Sequence, residues 1–447
     1  MLRLYDTALR RVEALDLRRP GELALYVCGP TVYAEPHVGH GRFALVWDVL
    51  CRYARWSGLA VRHVSNVTDV DDKIIARADE EGGDAAGVAA RSEAEWWQCM
   101  DRLGVERPDE TPHATAYVER MVELIAGLVA GGHAYVGGDG VYFAATSVPD
   151  YGLLAPGPLD QLQAGARVQV GEEAGKRSPL DFALWKLAKP GEPTWSSPWG
   201  PGRPGWHTEC VVMSLDLLGE GFDLHGGGID LAFPHHENER AQAEAAGRAF
   251  ARRWAHSGHV VAEGGEKMSK SLGNTMSLPQ LLDAYDPRAY RLLALQSHYR
   301  RPMTVSPATL EAAGRAVEGL DGFGRELAAA RGAEPDAGVR ERFAERMDDD
   351  LDTPGAVAGL FEAMKHARVA GDEAVAAAVI DAWEKGLGLP LAREAQVPAA
   401  ALAKAEARDA SRASKDWARA DALRAELVAE GYVVEDTPLG TRLRPAR

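Results

Sequence analysis

The sequence predicts an α/β protein: a split, Rossmann-like parallel-sheet domain with an inserted connective domain, followed by an α-helical bundle and a small C-terminal α/β appendage. Three observations lead there. A strand, a loop, a helix and a second strand follow one another at the start, which is a βαβ unit and implies parallel pairing. A Gly- and Pro-rich stretch then interrupts the pattern before a further strand runs into a long helix. From Pro302 the composition turns to Ala, Glu, Arg and Leu with helical periodicity.

Taken in order, ELALYVCGPTVY reads as a short apolar strand entering a Gly-Pro turn, and RFALVWDVLCRYARWSG carries apolar residues at helical spacing. LAVRHVSNVTDV is the second strand. Helical patterns dominate from about Glu93 to Gly132, and the chain is irregular from Gly137 to Pro204, with short β-like pieces such as GVYFAA. The sheet resumes at FDLHGGGIDLAFPHHENERAQAEAA, where an apolar strand is expected to bend at three glycines and enter a helix. A helical bundle is expected to end near Gly388. One charged helix, ALAKAEARDASRASKDWARADALRAELVAEG, and two β-like pieces around Thr-Pro-Leu-Gly complete the chain. The expected divisions are 1–115 and 205–255 for the split sheet domain, 116–204 for the insertion, 256–310 for a connecting region, 311–395 for the bundle and 396–447 for the appendage.

Composition narrows the function. The 447 residues carry 66 acidic and 50 basic side chains, a formal charge of −16, which opposes non-specific adhesion to nucleic acid. An RNA partner would need a local basic patch or recognition by shape. Four widely spaced cysteines, Cys28, Cys51, Cys99 and Cys210, are too few for a disulfide framework and leave metal binding, catalysis or burial. No apolar run approaches a membrane span and the N-terminus scatters charge where a signal peptide would be apolar, so the cytoplasm is expected, with no membrane partner.

Two motifs carry candidate chemistry. HVGH at 37–40 lies between the first strand and its helix, where free N–H groups and the helix dipole favour an anion. His37 and His40 can donate to phosphate oxygens, and Gly39 and Gly41 leave room for a base or phosphate. The tetrapeptide alone does not separate a binding pair from a structural one. EGGEKMSKSLGN at 263–274 is a Gly-flanked loop with two lysines, Lys267 and Lys270; by itself it reads as a solvated connection.

HVGH and KMSKS, in that order across a split βαβ domain, resemble the class I aminoacyl-tRNA synthetases. YVCGPTVY, SNVTDVDDKII, DFALWK, GWHTEC, HGGGID, FPHHENE and the ending EDTPLGT narrow the resemblance to the cysteine-specific family, along nearly the whole chain. The resemblance implies one Zn2+ held by Cys28, Cys210, His235 and Glu239. Helical spacing places both His235 and His236 one turn before Glu239 and leaves the choice between them open; the resemblance favours His235. It also implies Asp230 as partner of the substrate ammonium, Trp206 as a wall of the side-chain pocket, and Gly29 and Thr68 on the substrate side.

Zinc has a physical reason here. Cysteine and serine differ by one atom, and a pocket separates near-isosteres by only about 1–3 kcal/mol. A thiophilic ion prefers the thiolate, because a coordinating thiol loses its proton near neutral pH and an alcohol does not. The insertion is therefore not expected to hydrolyse wrong products.

The implied reaction begins with attack of the cysteine carboxylate on the α-phosphate of ATP, with Mg2+ on the phosphates. His37, Gly39, His40 and Lys270 are the expected nucleotide contacts, and Lys267 positions the loop. Transfer to tRNA(Cys) follows, with the 256–310 region at the tRNA stem and the bundle and appendage reading the rest; Arg442, Arg444 and Arg447 are candidate phosphate contacts. A monomer is expected. Two departures stand out: Ala34 replaces a common aspartate, and Arg442 and Leu443 follow Thr441 where relatives often carry tryptophan. Two other functions compete. A cysteine ligase acting on an amino-sugar would be shorter and would lack the 408–444 end, and a silent tRNA-binding paralogue would not need both motifs and all four ligands.

Overall fold

The computed structural model describes residues 1–157, 175–262, 276–392, 399–437 and 440–445. A hairpin of β1 (Arg3–Asp6) and β2 (Arg11–Ala14) leads into β3 (Glu22–Val27), five of whose six residues are buried. Helix α1 (Val38–Trp56) follows, with His37 as its N-cap and Ser57 as its C-cap, and it buries Val38, Leu45, Val49 and Tyr53 against the sheet and the bundle. The sequence expectation put HVGH in the loop. The structure starts the helix at Val38, so Gly39 and His40 belong to its first turn.

After β4 (Ala60–Ser65) come α2 (Asp72–Glu81) and α3 (Ala85–Arg102), each N-capped by an aspartate, Asp71 and Asp84. The insertion contains α4 (Val118–Ala130) and β5 (Ala134–Val136), β6 (Gly140–Phe143), β7 (Phe182–Leu187) and β8 (Gly202–Pro204), a four-stranded antiparallel sheet where the sequence showed mainly irregular chain. The short strands are masked in the sequence by their Gly and Pro neighbours.

Helix α5 (Trp206–Leu218), β9 (Leu224–Gly228), α6 (Glu237–Ala245) and β10 (Arg253–Ser257) complete the central sheet, whose order is β10-β9-β3-β4 with every pair parallel. The three glycines of HGGG do not bend the chain as expected. They pair with Ala255, His256 and Ser257 inside β9. Their role is space: a Cβ on Gly226 would lie 2.6 Å from the Trp47 ring, and one on Gly227 2.5 Å from His236. Because the strands run parallel, Val27, Ser65, Gly228 and Ser257 end along one edge, where a ligand site is expected for this topology.

Beyond the sheet, β11 (Val260–Val261) pairs with β12 (Met303–Thr304), with α7 (Leu278–Ala284) and α8 (Pro287–Leu295) between them. The bundle comprises α9 (Pro307–Glu326), α10 (Ala337–Asp348), α11 (Thr353–Ala370) and α12 (Glu373–Asp381), and it shares one core with α1 through Tyr53, Phe343 and Trp383. In the appendage the single expected helix is two, α13 (Ala399–Ala413) and α14 (Trp417–Ala429). Lys415 is left-handed at φ 63°, and Asp416 caps the second helix by accepting from the Arg419 N–H, so the Ser-Lys-Asp segment works as a stop and a start. The hairpin β13 (Tyr432–Thr437) with β14 (Gly440–Pro445) closes the chain. Among the described residues no helix is long and apolar enough to cross a membrane.

Candidate active site

Four side chains far apart in sequence meet beneath the carboxyl edge of the sheet. Cys28 is the first residue beyond β3, held by its N–H to the Gly226 carbonyl at 3.2 Å. Cys210 projects from α5, His235 from the turn before α6, and Glu239 from the first turn of α6. Cys28 Sγ lies 3.5 Å from Cys210 Sγ and 3.4 Å from Glu239 Oε1, and His235 Nε2 lies 3.7 Å from Cys210 Sγ and 3.1 Å from Glu239 Oε1. Ligands about 2.0–2.3 Å from a tetrahedral Zn2+ stand roughly 3.3–3.8 Å apart, so these separations fit one ion.

Every member is at most 3% exposed. Burial raises the Cys28 thiol well above its usual range, pushes the Cys210 thiol up to about 11 and drives the His235 imidazole well down. Burial thus favours the neutral forms of the two thiols and the imidazole, and a cation that took the thiols would displace their protons. Two thiols, an imidazole and a carboxylate form a donor set suited to a borderline-soft, tetrahedral ion.

A second overlapping constellation joins Cys28 and Glu239 to His225 and His236. In it His225 Nε2 stands 2.7 Å from Glu239 Oε2, the carboxylate oxygen turned away from the cysteines. His225 therefore suits the part of a partner that orients the carboxylate. On the other side His207 Nδ1 lies 2.8 Å from His235 Nδ1, which leaves His235 Nε2 facing the thiols. His236 joins His256 at 2.9 Å, and His256 joins Thr7 at 2.6 Å. Spacing could not choose between the two histidines; the structure sends each into a different constellation.

The other candidates fall into place around this floor. Trp206 stacks on His235 with ring centres 3.9 Å apart, and Asp230, exposed at the end of β9, lines the same cleft as Cys28 and Gly29. Gly29 is required sterically, since a Cβ there would fall 1.6 Å from the Asn66 carbonyl oxygen. Its N–H donates to Asn66 Oδ1 at 2.9 Å. Thr68 is 1% exposed and sits behind that wall, donating to the buried Glu209 carboxyl at 2.7 Å and accepting from Asn66. His225, Asn66, Glu209 and His207 received no role from the sequence, although HGGGID, SNVTDV and GWHTEC had marked their segments.

At the opposite end of the cleft His37 and His40 stack with ring centres 3.8 Å apart, and both rings line it with Gly39 and Gly258. Gly41 instead faces inward, where a Cβ would meet Leu278 and Tyr290 at 3.0 Å; its smallness serves packing. Lys267 and Lys270 lie outside the described residues, as does Arg447, and the side chains of Arg442 and Arg444 are likewise outside them.

A parallel sheet split by an insertion, with a paired-histidine helix start at one end of its cleft and a buried thiol cluster at the other, defines the catalytic class of the class I synthetases. Residues 15–315 match the family described as tRNA synthetases class I (C) catalytic domain, and residues 342–389 match the DALR domain. The Mycobacterium tuberculosis methionyl-tRNA synthetase complexed with methionyl-adenylate superposes with a TM-score of 0.60 at 17% identity, over 82% of this chain and 89% of that one. An Agrobacterium radiobacter LeuRS-tRNA-LeuAMS complex gives 0.62 at 11% identity, over 84% of each chain. Among curated proteins, the cysteine–tRNA ligase of Halorhodospira halophila is 45% identical over the full length of both chains, and that of Thermus thermophilus 44% identical over 99% of both. The chain belongs to the cysteine–tRNA ligase family.

Proposed function

We propose that the protein activates L-cysteine with ATP to cysteinyl adenylate and transfers the cysteinyl group to the 3′ end of tRNA(Cys), with Zn2+ in the buried cluster recognising the substrate thiolate. The observation that carries this reading is the convergence of Cys28, Cys210, His235 and Glu239 on one point beneath the cleft. When bound there, the ion would supply affinity for a thiolate that an alcohol cannot match. Cys28, Cys210, His235 and Glu239 would hold it. Trp206 and Gly29 confine the small side chain, and Asp230 receives the ammonium, so the carboxylate is directed along the cleft towards His37 and His40.

A carboxylate nucleophile needs no general base, so the chain's work in the first step is orientation and charge stabilisation. His37, His40 and the positive end of the α1 dipole are suited to the α-phosphate region, with Mg2+ on the outer phosphates and Lys270 and Lys267 serving the leaving pyrophosphate. The match to the DALR domain and the full-length likeness to named tRNA ligases support transfer to tRNA over transfer to a small amine. A monomer in the cytoplasm accords with this reading.

The test is ATP–pyrophosphate exchange driven by cysteine, followed by charging of tRNA(Cys). Exchange is expected with cysteine, with serine weaker by about 10³-fold or more. Equal exchange with both amino acids would remove the metal from the account.

A further inference from the structure

Arg42 lies two residues beyond His40 on α1, is 1% exposed and forms no ion pair with any carboxylate among the described residues. Its guanidinium instead gathers backbone carbonyls. Nη1 donates to His259 at 2.5 Å, and Nη2 donates to His298 at 3.2 Å, Tyr299 at 3.3 Å and Arg301. Three of these oxygens already accept from the backbone: His259 from the Met303 N–H, His298 from the Arg301 N–H and Tyr299 from the Gly258 N–H. Among the described residues only the Arg301 carbonyl takes its hydrogen bond from the arginine alone, and one carbonyl does not call for a buried charge.

A buried charge without a counter-charge costs stability unless something else gains from it. Burial lowers this guanidinium to about 10, which still leaves it protonated at neutral pH. What the charge joins is informative. Its helix carries His37, Gly39 and His40 on one side of the cleft, and the carbonyls it holds belong to Gly258's neighbour His259 and to the turn against which Gly258 is pressed. A Cβ on Gly258 would lie 2.6 Å from the Arg301 oxygen and 2.7 Å from that of Arg300, so this wall has no slack. The guanidinium thus pins two walls of the nucleotide end together from behind. Its positive charge also adds to that of the α1 N-terminus.

We propose that Arg42 is a positioning residue for the ATP half of the reaction: it fixes the Ser257–Val260 wall against the start of α1 and raises the positive potential where the triphosphate binds. The inference rests on the assignment of that end of the cleft to ATP. It assigns nothing to the cysteine end, and that asymmetry makes it testable.

The experiment compares wild type, Arg42→Lys and Arg42→Met by steady-state exchange, by equilibrium dialysis of labelled ATP, by metal content and by thermal melting. Arg42→Met is expected to raise the KM for ATP and the ATP dissociation constant about tenfold or more and to lower kcat, and Arg42→Lys, which keeps the charge and loses the fork, about threefold. The KM for cysteine and the metal content stay at wild-type values. A purely structural strut would lower the melting temperature and leave the substrate ratio unchanged. ATP binding within twofold of wild type in both variants, or equal losses for ATP and cysteine, overturns the proposal. If Arg42→Met does not fold, Arg42→Lys decides alone. Should wild type show no cysteine-dependent exchange, the functional reading fails, while the dialysis still decides the role of Arg42.

Discussion

At the floor of the cleft, Cys28, Cys210, His235 and Glu239 are at most 3% exposed and are held by His207, His225 and the packed ring of Trp206. At the other end His37 and His40 are half-buried at the start of α1, beside Met276 and Ser277. Both ends hang on the same four-stranded parallel sheet, yet one is sealed and the other open. On the proposed function the difference follows from what each end would do. Discrimination of sulfur from oxygen needs donors set in place before the substrate arrives, and a buried cluster with fixed partners supplies that. Phosphoryl chemistry needs access for a large anion and departure of pyrophosphate, which a sealed site would prevent.

The largest expected effect lies at the sealed end. Cys210→Ser should remove the metal and lower cysteine-dependent exchange by about 10³-fold or more, while ATP binding by dialysis changes less than about twofold. Loss of ATP binding in that variant would mean that the two ends are not independent. Next in size, His40→Asn should reduce kcat for exchange by about 10²–10³-fold and leave metal content and the KM for cysteine unchanged.

His225→Asn sharpens the comparison within the sealed end. It keeps all four proposed ligands but removes the partner of Glu239 Oε2, so metal affinity measured against a chelator should fall about 10–100-fold without full loss. Complete loss would promote His225 to a ligand in the second constellation. The smallest effect concerns stability away from both ends. Burial pulls His63, on β4, down to about 4, so the folded chain resists protonating it. That contribution is complete above the unfolded value near 6.5 and is lost as pH falls from there towards about 4, on the order of 3 kcal/mol. His63→Gln should flatten the fall in melting temperature across that window; an unchanged slope would assign acid sensitivity to other groups.

The meeting of Cys28, Cys210, His235 and Glu239 was legible because all four sit in motif-bearing segments, and the parallel pairing of β3 and β4 followed from the βαβ opening. What the sequence hid is physical in each case. Spacing on a helix gives His235 and His236 nearly the same reach to Glu239, and only the partners His207 and His256 separate them. Glycines in HGGG read as a bend, because their true neighbours, Trp47 and His236, are distant in sequence. The break at Lys415 is a local left-handed residue inside an otherwise helix-forming segment. Arg42, Asn66 and Glu209 act through contacts between remote segments, which periodicity does not report. Lys267 and Lys270 remain assigned from the motif alone.

The most direct measurement pairs metal analysis with exchange on one preparation, before and after chelation, with cysteine and serine in parallel. The expected result is about one zinc per chain, exchange that responds to cysteine and hardly to serine, and loss of both metal and exchange on chelation with recovery on adding Zn2+. Metal-free protein that still activates cysteine and rejects serine would contradict the claim that a buried ion reads the sulfur.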